Sequence, residues 1–165
     1  MSTTPRLRRS RRERLWGVAL RPWRDKWLLL QVYVLLGVSR LAINTVPFPR
    51  LSPCFGPRMT ETPTEAPVEQ LREARRIAWA VQRASPYTPW RSNCFPQALT
   101  AKILLRRRGI PSTLYLGAAF KVGVPELEAH AWLRCGPLYV TGGNGHQHFG
   151  AVAAFGDEAH MNPAG

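Results

Sequence analysis

Cysteine is scarce and scattered, with Cys54, Cys94 and Cys135 the only three in 165 residues. An odd set without close pairs excludes a disulfide framework and suits a reducing cytoplasm. Acidic side chains are also few, ten Asp and Glu against 23 Lys and Arg, for a formal charge of +13. No small-residue cleavage site follows the apolar stretch near the start, so no secretory signal is expected. Internal repeats are absent. So is C-x-x-C or any other recognised zinc spacing, although Cys54, Cys94, Cys135, His130, His146 and His148 supply ligand types. His146 and His148, two apart in GNGHQHFG, read as surface residues of a glycine-rich loop. A nucleic-acid module has charge in its favour and no helix-turn-helix or aromatic-basic signature.

The charge is uneven. Residues 1–26 hold nine basic side chains against Glu13 and Asp25, a local net of +7. Residues 1–24 therefore read as a solvated basic tail. The run WLLLQVYVLLGVSRLAINTV, Trp27 to Val46, is nearly long enough to cross a bilayer. Arg40 lies well inside it, and an arginine there is costly in a lone span. A packing helix over 25–46, ended by Pro47 and Pro49, fits better. Peripheral membrane contact through this helix and its basic flank is a second use for it.

Residues 47–67, PFPRLSPCFGPRMTETPTEAP, read as a proline-rich linker with turns. The expected organisation is a tail at 1–24, helix and linker at 25–67, and a catalytic-type domain at 68–165. Val68, Leu71, Ile77, Ala78 and Val81 recur at helical spacing. A second helix is expected from Cys94 to Arg108, with Ser92 or Asn93 as cap and Pro96 in its first turn. Gly109 and Pro111 stop it. Lys102, Arg106, Arg107 and Arg108 crowd its C-terminal half, where cations suit the helix dipole. Three strands follow, Ser112–Phe120, Glu128–Arg134 and Leu138–Gly142. They are predicted to be antiparallel because Cys135-Gly136-Pro137 is too short for a crossover.

The stretch SNCFPQALT places Cys94 at a helix start. Unsatisfied backbone N–H groups and the positive dipole end favour a thiolate there, and the same N–H groups can hold an oxyanion. His130 stands mid-strand, on the same face as Trp132. A cysteine paired with a histidine forms a nucleophile and its base.

NCFPQALTAKILLRRRGIPSTLYLG followed by EAHAWLRCGPLYVTGG resembles the transglutaminase-like cysteine-protease superfamily. More closely, it is similar to the leader peptidases of lasso-peptide biosynthesis. WLLLQVYVLLGVSRLAINTVPFPRL is similar to the front helix and linker of that family, so the resemblance covers roughly residues 21–145. It implies an α+β fold: a transglutaminase-like or papain-like core, its nucleophile at a helix N-terminus packed on a small antiparallel sheet, behind an N-terminal apolar helix. The family's Cys-His-Asp triad places its cysteine on Cys94 and its histidine on His130. Its acid falls on Gly142, which has no side chain. Asn144 is the nearest substitute and is expected as the third catalytic group, with Asp157 more distant and a backbone carbonyl a further alternative.

The implied activity is removal of the leader from a ribosomally made precursor peptide, in the cytoplasm, with no cofactor or metal. The chain is too short for a fused leader-recognition domain, so a separate leader-recognition protein is the implied partner. A lasso cyclase similar to asparagine synthetase would then close the freed N-terminus onto an acidic side chain. Alternatives are an acyl-transfer enzyme on the same cysteine, or a non-enzymatic basic protein binding nucleic acid or peptide.

Overall fold

The computed structural model describes residues 22–120 and 126–157, and the basic stretch before residue 22 lies outside them. Helix α1 spans Trp23–Thr45 and ends where Val46 turns extended ahead of Pro47. A short helix α2, Phe48–Leu51, runs on into a 3-10 turn, Ser52–Phe55. Helix α3 spans Val68–Ala84 and helix α4 spans Cys94–Arg106. Proline opens or precedes α1, α2 and α3, since its fixed φ suits a helix start and its missing N–H costs nothing there.

Four strands follow: β1 Thr113–Phe120, β2 Leu127–Cys135, β3 Leu138–Thr141 and β4 Gly150–Gly156. They form one antiparallel sheet in the order β3-β2-β1-β4. Three of these strands match the sequence expectation, and the sheet is antiparallel as expected. Strand β4 went unforeseen. Its residues, GAVAAFG, are small and bracketed by glycine, which gives little of the β-branched signal a strand reading relies on.

Strand alternation assigns the two faces of the sheet. Leu114, Ala131, Leu133, Cys135, Val140, Ala153 and Phe155 join the helices in the main apolar cluster, with Leu36, Ile77, Ala80 and Leu104. Tyr115, Trp132 and Ala154 form a second cluster on the opposite face. Helix α1 packs on α3 and α4. A buried Ser39–Thr100 hydroxyl pair, 3.2 Å apart, ties α1 to α4.

The proline-rich stretch after α2 does more than link. Phe55 is fully buried. Met59 N–H donates to the Ala154 carbonyl at 2.7 Å. Residues 61–63 are held on the outer sheet face by Arg134, which donates to the Thr62 and Pro63 carbonyls at 2.8 and 3.2 Å and to Glu61 at 3.3 Å. Tyr115 Oη donates to the same Glu61 carboxylate at 2.7 Å. The segment is a strap on the sheet. Its composition hides this because its partners, Arg134, Tyr115 and Ala154, lie more than fifty residues away.

Lys102 departs most from the sequence reading. It is buried rather than placed as a surface cation at the helix end. Its Nζ donates to the Ser112 carbonyl at 2.9 Å, the Phe155 carbonyl at 3.2 Å and Asp157 Oδ2 at 3.1 Å. Burial lowers its pKa, and the Asp157 charge opposes that shift. Asp157 Oδ2 also accepts from Ser112 N and Ser112 Oγ, both at 3.1 Å. Breaking a buried pair strands the remaining charge, at about 3–5 kcal/mol. Lys102→Ala is therefore expected to lower stability by about that amount, and urea unfolding monitored by circular dichroism measures it.

Candidate active site

Cys94 is the first residue of α4. Asn93 before it is extended (φ −75°, ψ −168°) and makes no side-chain cap bond. Ser92, the other expected cap, instead pairs its hydroxyl with Thr88 Oγ1 at 2.8 Å. Gln97 reaches back and donates to the Ser92 carbonyl at 2.6 Å. Residue three of the helix is Pro96, which has no N–H. The first turn therefore presents the Cys94 and Phe95 amides without a side-chain cap, which leaves the positive helix end open to an anion.

The three thiols differ. Cys135 is buried, and burial raises its pKa above the ordinary value. Cys54 is exposed. Cys94 is half-buried and packs against the main apolar cluster.

His130 sits on β2 opposite Gly117 of β1. Its Nε2 donates to the Gly142 carbonyl at 2.8 Å. In the neutral ring that leaves the lone pair on Nδ1. The imidazole stacks on Phe149, centroids 4.8 Å apart, and on Trp132 at 5.9 Å. Trp132 stacks in turn on Tyr115 at 5.4 Å. An imidazole held by one hydrogen bond and two rings has little freedom to turn.

Gly142 follows the last residue of β3 and adopts φ +67°. A Cβ there would lie 2.3 Å from the Ala131 carbonyl oxygen and 2.9 Å from Trp132 Cα. The backbone comes this close only because no side chain is present, and the closeness is what delivers the carbonyl to His130. Asn144 is exposed and makes no hydrogen bond among the described residues. Asp157 is committed to Lys102 and Ser112. Of the groups considered as third partner, the backbone carbonyl is the one the fold brings to the imidazole.

No hydrogen bond joins Cys94 to His130 among the described residues. Alternation puts the imidazole on the Trp132 face of the sheet, and Cys94 packs with the helix-side cluster. Strand β3 pairs with β2 only over Leu133–Cys135. Beyond that pairing the backbone of Gly142 lies against Ala131 and Trp132 of β2.

His146, read from sequence as a surface residue, is half-buried beside this site. Its Nδ1 lies 2.6 Å from the Gly143 carbonyl, and its ring meets Tyr139 at 4.2 Å and Trp132 at 5.8 Å. Its neighbours are glycines, which carry no burial signal. His148 is exposed. Among the described residues, no three His, Cys, Asp or Glu side chains gather where a metal ion could be held. A cavity of about 570 Å³, lined by Pro53, Pro57, Arg106, Ile110, Pro111 and Asp157, holds none of these site residues.

The thiols should separate under alkylation of the native protein at pH 8. Cys54 is expected to react readily, Cys94 to react, and Cys135 to stay unmodified until the chain unfolds, all read by peptide mass mapping. The raised Cys135 pKa stabilises the fold fully below the thiol's ordinary value of 9.0. Above it the unfolded chain ionises first, so that contribution falls as pH rises.

The comparison with protein families agrees with this architecture. The profile of the Transglutaminase-like superfamily matches residues 42–154. No curated protein and no solved structure matches the chain significantly. The matched segment takes in α4, strands β1 to β3, most of β4 and the Gly142 turn, and the chain belongs to the Transglutaminase-like superfamily, which includes cysteine proteases and acyl-transferases.

Proposed function

We propose that the protein is a cysteine peptidase that removes the leader from a ribosomally made lasso-peptide precursor. The observation that carries the proposal is the hydrogen bond from His130 Nε2 to the carbonyl of Gly142, the residue at the acid position of the resembled triad. It orients the ring and selects the tautomer with a basic Nδ1, the two tasks a third catalytic group performs. The uncapped start of α4 supports Cys94 as the nucleophile of this reading.

In this proposal the thiol and imidazole close on each other when precursor binds. Catalytic contacts commonly tighten only in the substrate complex. His130 Nδ1 takes the proton from Cys94 Sγ. The thiolate adds to the carbonyl of the leader's last residue, and the Cys94 and Phe95 amides receive the developing oxyanion. As the C–N bond breaks, the imidazolium gives its proton to the departing amine, which becomes the free N-terminus of the core. The leader remains as a thioester on Cys94 until water, deprotonated by His130, releases it. A separate leader-recognition protein presents the precursor, and a cyclase similar to asparagine synthetase uses the product in the cytoplasm.

Incubation of full-length enzyme with a precursor peptide and a leader-recognition protein, followed by mass spectrometry, tests this reading. Loss of a mass equal to the leader supports it. Addition of an amine at unchanged chain length assigns acyl transfer instead. Cys94→Ala and His130→Ala are each expected to lower cleavage by at least about a thousandfold, with unchanged circular dichroism. Full activity in either would overturn the proposal.

Asn144→Ala is expected to keep most activity, since Asn144 is exposed and the orienting group is a backbone carbonyl. Gly142→Asp, which places an acid at the family position, is expected to lose both stability and cleavage. The left-handed backbone and the Ala131 carbonyl leave no room for its Cβ. Cleavage rate and thermal unfolding, read together, check both substitutions.

A further inference from the structure

Helix α1 is apolar on two opposite sides. Leu28, Val32, Leu35, Leu36 and Ser39 are buried against the domain. Trp23, Trp27, Leu30, Val34, Val38 and Leu41 face outward, from 51% exposed at Leu30 to 73% at Trp23. At about 100° of turn per residue these six fall within an arc of roughly 80°, directly opposite the buried side. Arg24 and Lys26 flank the arc. The helix is long and apolar enough to cross a membrane, but its inner face is committed. Ser39 bonds Thr100, Arg76 Nε donates to Asp25 at 2.8 Å, and Val32 and Leu36 have no exposure at all. A spanning helix would have to abandon these contacts.

We infer that α1 lies flat on an anionic membrane surface, with the outward arc sunk into the headgroup boundary and the catalytic domain above it. Three observations favour lipid over another occupant. The chain carries a formal charge of +13, and residues 1–21 alone hold seven arginines against one glutamate. Two copies meeting face to face along this helix would repel, whereas each basic residue near an anionic leaflet gains attraction. Trp23 and Trp27 stand at the end of the helix next to the basic stretch, and such amphipathic rings favour the interface depth. A strong outward apolar stripe beside a basic flank is the pattern of an in-plane helix. This inference does not rest on the peptidase reading.

The test is co-sedimentation of the full chain with vesicles of phosphatidylcholine, alone or with one third phosphatidylglycerol. Binding to the anionic vesicles is expected to be at least tenfold tighter, and to weaken as salt is raised. Leu30→Asn with Val34→Asn is expected to weaken it about tenfold or more while thermal unfolding stays unchanged. If that pair disturbs the fold, Leu41→Asn gives the same reading. Cys94→Ala binds as the wild type does, which separates this inference from the catalytic one. Failure to sediment with anionic vesicles at low salt overturns it, as does undiminished binding by the apolar variants. A dimer or a protein complex broken by Leu30→Asn with Val34→Asn, while vesicles remain unbound, overturns it too and names the other occupant.

Discussion

The architecture depends on one buried ammonium group. Lys102 holds α4 to the starts and ends of two strands at once, through the Ser112 and Phe155 carbonyls and the Asp157 carboxylate. An apolar contact at this position would let the helix slide along the sheet at little cost, because the hydrophobic effect is non-directional. Three directed hydrogen bonds do not permit that. Cys94 opens the same helix, so a group whose burial costs free energy on its own anchors the element that carries the thiol.

The second constraint is an absence of atoms. Gly142 approaches Ala131 and Trp132 so closely that even a methyl group would collide. A carboxylate cannot occupy that position in this backbone. The left-handed turn that excludes it also swings the residue's own carbonyl to 2.8 Å from His130. The same glycine backbone therefore excludes a carboxylate and brings a carbonyl to the imidazole.

Much of this was legible in the sequence, and the limits are physical. The helix starting at Cys94, its stop at Gly109 and the alternation around His130 are local patterns, readable from periodicity and turn chemistry. Lys102 could not be read, because its burial depends on oxygens ten and more than fifty residues away. The stretch at 47–67 was taken for a linker because its hold on the sheet depends on distant partners, Arg134, Tyr115 and Ala154. The third catalytic partner was sought among side chains, at Asn144, because sequence displays side chains and not the aim of a carbonyl. The front helix read as a packing helix from its apolar content. Only the fold separates the stripe that packs from the stripe that does not.

A carbonyl in place of a carboxylate changes what the imidazole can do. A carboxylate both orients the ring and stabilises the imidazolium, whereas a neutral carbonyl does the first and little of the second. With serine as nucleophile that loss would be severe, because the base must hold a proton taken from a very weak acid. A thiol is a far stronger acid than a serine hydroxyl. In the proposed mechanism the proton transfer asked of His130 is therefore much less uphill, and orientation is the larger part of what the third group must supply. A cysteine site can do without the acid where a serine site could not. The glycine at position 142 is in this way consistent with the nucleophile proposed at position 94.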